Sequence, residues 1–376
     1  MITGQHPFLL ILFLIFAASA VIQLFYYLYF YLSPVLYKPK KNLPYRGPVS
    51  VIICARNEEQ NLREFLPAVL EQEYPDFEVI VVNDCSDDNS FDVLGDFIKK
   101  YHVLKVSNIS KDPKFTHSKK FAQFIGIKAA RNEFLLFIDA DCRPAGQKWI
   151  KAMTANFSSK VNFILGYGGY FSKKGILNRY IRYDSAFIAI QYFGMAIRGI
   201  PYMGVGRNLA YKRSVFFEKK GFGNHSYLAS GDDDLFVNSN ATGNNVEVEF
   251  REQAHTRSVP ASSFTELFKQ KRRHFSTAVH YKTRDKLLLS VEPLSRILFY
   301  ILFPVLICNY YLLIPLITLF TLRMTVMETV LILGQKKLHE SGLKIWTIIF
   351  DIFSPLVNAV FFIAGIRSNP RNSKWN

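Results

Sequence analysis

The chain has 376 residues, 49% of them hydrophobic and 15% aromatic, and a net charge of +16. That length allows two or three domains, and so apolar a composition excludes a protein built only around a water-facing core. Its four cysteines, Cys54, Cys85, Cys142 and Cys308, form no Cys-x-x-Cys pair, which argues against a zinc site or a dithiol redox centre and leaves reduced thiols of a cytosolic domain as the expectation.

From the N-terminus, Phe8 to Leu32 runs for 25 residues without a charge, long enough to cross a bilayer with some tilt. It has no basic start and no small-residue cleavage site, and it carries Tyr26, Tyr27, Tyr29 and Tyr31, so it reads as an uncleaved anchor rather than a signal peptide. Lys38, Lys40, Lys41 and Arg46 follow at once and place the next domain on the cytoplasmic side. Much of the positive excess lies beside apolar segments, where anionic headgroups attract it. With no nucleic-acid-binding module present, membrane lipids and not nucleic acid are the expected partners.

Residues 46–150 alternate strands with amphipathic helices. PVSVIIC at 48–54, EVIVV at 78–82, Val103 to Val106 and Phe134 to Ile138 are the strands; Asn57 to Gln72, Ser90 to Tyr101 and Lys119 to Ala130 are the helices. Such spacing implies β-α-β units and a parallel sheet, whose ligands gather beyond the carboxyl ends of the strands. Asp84, Asp139 and Asp141 fall there. Two carboxylates two residues apart at the rim of a buried strand suit a hard divalent cation shared with substrate phosphates; the bland alternative is a solvated strand end.

Beyond Phe163 the texture becomes glycine-rich and aromatic, followed by a helix around Asn178 to Ile197 and a loop and strand over Pro201 to Lys212. Ser230-Gly231 then precedes three consecutive acids, Asp232, Asp233 and Asp234. A helix N-terminus favours acids, yet three exceed what a cap requires. Ser262 to Tyr281 is a basic amphipathic helix suited to a membrane surface. Apolar stretches follow at Ile297–Leu322, Met324–Gly334 and Ile345–Ile366, the first two separated at Arg323 and read as a hairpin. Lys336, Lys337 and Lys344 lie before the last stretch and Arg367, Arg371 and Lys374 after it. One crossing cannot leave both positive flanks cytoplasmic, so a re-entrant or interfacial final segment is an alternative. The expected domains are an anchor and basic linker at 1–45, a catalytic domain at 46–260, an interface helix at 261–290 and membrane segments at 291–376.

In order, CARNE at 54–58, VVNDCSDDNS at 81–90, Lys119-Lys120, DADC at 139–142, SGDDDLF at 230–236 and QKRRH at 270–274 resemble the membrane-anchored family 2 glycosyltransferases over about residues 48–282. The resemblance implies an α/β GT-A fold, Rossmann-like with a mostly parallel sheet, in a cytosolic domain flanked by transmembrane helices. It implies that Ala55, Asn57 and Glu58 meet the nucleotide, that Asp84 contacts the base with Asp88 nearby, and that Lys119 lies near the nucleotide, with Ser118 in place of the usual glycine. It further implies that Asp139 and Asp141 hold Mg²⁺ or Mn²⁺, with Asp139 also reaching the ribose, and that Asp233, beside Asp232, is the general base. Asn208 and Gln270, Arg273 and His274 fall on acceptor-side motifs. His255 lies where some relatives have a third ligand, although a lone loop histidine is more often surface or packing.

The implied activity is inverting, metal-dependent transfer of a sugar from a UDP- or GDP-linked donor to a lipid-linked or glycan acceptor, at the cytoplasmic face of the inner membrane, by a multi-pass protein. Polysaccharide synthases of the family carry tryptophan where this chain has His274, which argues against processive extension. A processive synthase is the runner-up, ahead of a catalytically inactive membrane scaffold.

Overall fold

In the computed structural model, residues 7–38, 45, 47–111, 118–228 and 230–367 are described. Lys40, Lys41, Arg46, Arg371 and Lys374, which figure in the charge argument above, lie outside them.

Period-two alternation builds the sheet. In strand β1 (Val49–Ala55), Val49, Val51, Ile53 and Ala55 face one hydrophobic core while Ile52 and Cys54 face another. β2 (Phe77–Asp84) and β3 (Leu104–Ile109) extend the sheet on one side; β4 (Phe134–Phe137), β6 (Phe163–Gly166), β8 (Leu209–Lys212) and β9 (Val246–Glu249) extend it on the other. The order is β3-β2-β1-β4-β8-β6-β9. All neighbours are parallel except those of β8, which runs antiparallel to β4 and β6. A small second sheet joins β5 (Cys142–Pro144), β10 (Thr256–Ser258) and β7 (Gly168–Tyr170).

Helices α3 (Glu59–Leu70), α4 (Ser90–Lys100), α5 (Lys119–Ala129) and α6 (Trp149–Thr154) cover the strands. α7 (Ile176–Ile197), α8 (Arg213–Glu218), α9 (Asp234–Asn240) and α10 (Phe264–Ala278) complete the domain. α3 buries Leu62, Phe65, Leu66, Val69 and Leu70, one apolar face at helical spacing.

Among the described residues, four helices are long and apolar enough to cross a membrane: Pro7–Leu36, Thr283–Leu306, Tyr310–Lys337 and Lys344–Ile366. The first consists of α1 (Pro7–Phe25), a π-helical turn over Tyr26–Tyr31 and α2 (Leu32–Leu36). The others contain α11 (Thr283–Leu306), α12 (Leu313–Lys337) and α13 (Lys344–Ile366). One of the two main cores runs without a break from the sheet into these helices, joining Ile52 and Phe137 to Tyr27, Tyr31, Met327 and Phe350. α7 makes the junction. A Cβ at its Gly194 would collide with the carbonyl oxygen of Phe30, so glycine lets the two backbones touch.

Three sequence readings change here. The break expected at Arg323 lies instead at residues 307–312, and Arg323 sits inside the continuous helix α12, wholly buried. It is tolerated because Asp351 Oδ2 accepts a hydrogen bond from Arg323 Nη1 at 2.5 Å, while Gln23 Oε1 accepts from Nη2 at 2.8 Å. Arg296 Nη1 reaches Asp351 Oδ1 at 3.0 Å and its Nη2 reaches Glu292 Oε2 at 3.1 Å. Second, the 290/291 division falls within α11, which is continuous from Thr283. Third, the apolar face of α10 packs in part on protein: Phe264 and Phe268 meet Phe361 and Phe275 meets Phe362, all across to α13, with Phe264 still 59% exposed.

Candidate active site

The parallel strands end on one side and deliver their following loops together. After β1, Asn57 takes a left-handed φ of 55°, a conformation asparagine tolerates. Its backbone N–H donates to Ser86 Oγ at 2.9 Å and its Oδ1 accepts from the Asp87 N–H at 2.8 Å. Asp88 Oδ2 accepts from the Glu59 N–H at 3.0 Å, satisfying an open donor at the start of α3. These bonds stitch the loop after β1 to the loop after β2. Asp84 closes β2 and is wholly buried. Ala55 is also wholly buried.

Lys119 opens α5, capped by Ser118. Its Nζ donates to Asp139 Oδ1 at 2.6 Å and lies 3.7 Å from Asp232 Oδ2. Burial opposes its charge, but Asp139, Asp232 and Asp233 hold it protonated well above the ordinary lysine range. Burial likewise opposes the charge on Asp139, yet Lys119 keeps its carboxyl below the usual range. Asp141 lacks that partner: burial, then the charge of Asp139, pushes it up to about 6. Burial pushes Glu58 up to about 7.

The three acids diverge in their surroundings. Asp234 Oδ2 accepts from Tyr281 Oη at 2.8 Å and from Thr277 Oγ1, tying α9 to α10. Asp233 caps α9: its Oδ1 accepts from the Asp234 N–H at 2.7 Å and its Oδ2 from the Gly206 N–H at 2.6 Å. Burial, then Asp232 and Asp234, raises Asp233 to about 7. A carboxylate held near neutrality suits a general base.

Glu58, Lys119, Asp139, Asp141, Asp232, Asp233, Gln270, Arg273 and His274 all line one cavity of about 820 Å³. His274 lines this space and is exposed to it. Ala55, Asn57, Asp84 and Asn208 are not in its wall among the described residues.

Asn208 is corrected from an acceptor contact to a scaffold residue. It is wholly buried, donates to the carbonyls of Tyr167 at 2.8 Å and Ala254 at 2.6 Å, and accepts from Trp149 Nε1 at 3.1 Å, which leaves no group for a ligand. His255 is buried against the rings of Tyr167 and His339, with Nε2 2.8 Å from the Phe250 carbonyl. It is packing.

Sequence reading missed Arg207 and Tyr170. The Arg207 guanidinium lies 4.4 Å over the Tyr170 ring, donates to Tyr170 Oη and to the Gly168 carbonyl, and faces Asp139 and Asp141 as a counter-charge. Its signal was a cation set between Gly206 and Asn208, in a loop judged by its glycines.

The two acids fit a hard cation. Oxygens of Asp139 and Asp141 and the sulfur of Cys142 lie within 4.8 Å of one another. Cys142 is no ligand for such an ion, which takes oxygen; its thiol is buried against Ser258 Oγ at 2.8 Å, and burial holds it protonated.

The profile of Glycosyl transferase family 2 matches residues 50–217. Poly-beta-1,6-N-acetyl-D-glucosamine synthase of Staphylococcus epidermidis is 34% identical over 93 residues, 25% of this chain and 21% of that protein. UDP-Glc:alpha-D-GlcNAc-diphosphoundecaprenol beta-1,3-glucosyltransferase WfaP of Escherichia coli is 26% identical over 234 residues, 59% of this chain and 83% of its own length. The chain thus spans about a fifth of the first relative and most of the second. The mannosyltransferase PcManGT of Pyrobaculum calidifontis, solved with GDP-Man and Mn²⁺, superposes with a TM-score of 0.61 at 17% identity, covering 94% of this chain and 98% of that one. That similarity extends the shared fold through the apolar helices.

Proposed function

We propose that this chain, whose residues 50–217 match glycosyltransferase family 2, moves a sugar from a UDP- or GDP-linked donor to a lipid-linked or glycan acceptor by an inverting, divalent-cation-dependent reaction. The observation that carries this reading is one cavity lined by the Asp139–Asp141 pair, by Lys119 and by Asp233. Asp139 and Asp141 would hold Mg²⁺ or Mn²⁺, which when bound neutralises charge growing on the leaving diphosphate.

The chain's own residues do the rest. Lys119 and Arg207 add positive charge around the nucleotide phosphates. Asp233, oriented by the Gly206 and Asp234 N–H groups, takes the proton of the acceptor hydroxyl as it attacks the anomeric carbon from the face opposite the leaving group. Glu58 borders the donor, and Gln270 and Arg273 border the acceptor. A processive synthase is the second reading, supported by Gln270 and Arg273; His274 in place of an aromatic platform favours one or a few transfers. The protein is read as a multi-pass resident of the inner membrane, with its catalytic domain cytoplasmic.

The pH dependence follows from Asp233. Its carboxyl must be ionised to act, so kcat/KM is expected to rise about tenfold per pH unit below about pH 7 and to level off above it. A profile flat through that range would exclude Asp233 as the base.

The test is a panel of UDP-, GDP- and dTDP-sugars with Mn²⁺ and detergent-purified protein, read as free nucleotide released. Release is expected with one donor class, lost on chelation and in Asp141→Ala. Release that survives in Asp141→Ala would contradict the metal assignment; silence with every donor and acceptor would contradict the reading.

A further inference from the structure

Asp139 and Asp141 lie two residues apart but are held by different sheets. The main sheet holds Asp139: the Ile138 N–H donates to the Ile52 carbonyl of β1 at 3.4 Å, and Lys119 Nζ of α5 donates to the Asp139 carboxylate at 2.6 Å. The small sheet holds Asp141. β5 begins at the next residue, Cys142, and pairs with β10 so that Ser258 lies opposite Cys142. The next N–H, of Val259, donates to the Asp141 carbonyl at 3.3 Å. On its other edge β10 pairs with β7, and Thr256 Oγ1 donates to the Arg207 carbonyl at 3.0 Å. The spacing of the two carboxylates, and the place of Arg207 beside them, therefore depend on where β10 sits.

Two clamps act on this backbone. Asn208 holds it from within the catalytic domain, through the carbonyls of Tyr167 and Ala254. The other reaches in from the turn between α12 and α13, where His339 and Gly342 take left-handed φ values of 54° and 73°. Glu340 of that turn has a wholly buried carboxylate. Its Oε1 accepts from Arg257 Nη1 of β10 and from Tyr167 Oη at 2.8 Å, and its Oε2 accepts from Arg182 Nε of α7 at 2.9 Å. Arg257 Nη2 also donates to the Leu338 and His339 carbonyls, at 3.3 and 3.2 Å, so its guanidinium closes on the turn as a whole. A Cβ at Gly169 would strike Arg257 Nη1; the missing side chain leaves room for the arginine beside β7.

We propose that Glu340 is a positioning residue for the metal pair: by holding Arg257 it fixes β10, and through β10 it sets Asp141 against Asp139. This rests on the transferase reading above. The worth of the cluster lies in its geometry. Replacing buried ion pairs by apolar groups is often neutral for stability, whereas a cation shared by two carboxylates tolerates little change in their spacing. Partners that orient metal ligands govern affinity about 10–100-fold. Glu340 acts one residue further back, and Asn208 holds the same backbone, so the lower end of that range is expected. The catalytic domain thus completes its metal pair only with the α12–α13 turn in place.

The test uses the full chain in detergent, with Glu340→Gln, Arg257→Lys and Arg182→Lys. Mn²⁺ binding is titrated by electron paramagnetic resonance with UDP or GDP present. Amide hydrogen exchange over residues 139–145 and 255–259 is followed by mass spectrometry, and thermal unfolding is recorded beside both. Glu340→Gln is expected to bind Mn²⁺ about tenfold more weakly and to exchange faster in both segments. Arg257→Lys keeps its charge, so it carries the test if Glu340→Gln does not fold, and it is expected to weaken Mn²⁺ in the same direction. Arg182→Lys touches the same carboxylate from α7 and is expected to bind Mn²⁺ as the parent does. Parent-like affinity in both Glu340→Gln and Arg257→Lys would overturn the proposal, and faster exchange without it would reduce Glu340 to a staple. Equal weakening by Arg182→Lys would overturn the route through β10 in favour of a general loss of stability. A parent that binds no Mn²⁺ would sink the metal reading itself; a parent that binds it, with variants that match it, sinks only the positioning role.

Discussion

Asp233→Asn is expected to lower the turnover number for sugar transfer by about 10²–10⁴-fold while nucleotide binding persists. The amide is nearly isosteric and keeps one oxygen for the two N–H groups that Asp233 now serves, from Gly206 and Asp234. Losing one of those bonds costs about 1 kcal/mol, too little to unfold a domain in which α9 is also anchored through Asp234, Thr277 and Tyr281. What the amide cannot do is accept the acceptor's proton. The loss should therefore appear in kcat rather than in nucleotide affinity, measured by steady-state kinetics beside titration of the nucleotide. Asp232→Asn is the informative partner. Its carboxylate is 3.7 Å from Lys119 Nζ, so its loss should act on the donor side and raise KM more than it lowers kcat. If Asp232→Asn instead abolished turnover and Asp233→Asn did not, the base would be Asp232.

The second large effect concerns the four long apolar helices. Asp351→Ala is expected to destabilise the folded protein by about 3–5 kcal/mol, the cost of leaving buried charge without its partner. Asp351 is wholly buried and joins α13 to Arg323 of α12, Arg296 of α11, Tyr27 of the first helix, whose Oη donates at 3.0 Å, and Tyr300 of α11, whose Oη donates at 2.5 Å. One carboxylate thus closes contacts among all four apolar helices. The measurement is thermal unfolding in detergent. A double variant, Asp351→Leu with Arg323→Met, removes both charges and leaves Arg296 paired with Glu292, so it should recover part of the loss. An Asp351→Ala protein as stable as the parent would show that the cluster contributes nothing net.

These helices also show what the sequence hides. The strands were legible because their apolar runs are short, bounded and buried on both faces, and Asp139 and Asp141 were legible because they end such a run. Arg323 misled because an arginine inside an apolar run is costly without a partner, and its partner Asp351 lies 28 residues further on. The true break depends on Asn309, whose Oδ1 accepts from the N–H groups of Tyr311 at 3.1 Å and Leu312 at 3.3 Å, a local cap with a weak pattern. Asn208 looked like a ligand contact because its three partners, Trp149, Tyr167 and Ala254, come from separate parts of the chain. Arg207 stayed hidden for the same reason: Tyr170, on which it stacks, is 37 residues away. In each case the residue type was visible and its tertiary partner was not.

The proposed reaction turns on one carboxylate accepting a proton while the acceptor attacks from the side opposite a cation-held leaving group. It is tested most directly by the anomeric configuration of the product, followed by proton NMR from an α-linked nucleotide sugar with Mn²⁺, in the parent protein and in Asp233→Asn. A β-linked product that forms only with the divalent cation, and not detectably in Asp233→Asn, is the predicted result. An α-linked product, or turnover by Asp233→Asn at the parent rate, would contradict it.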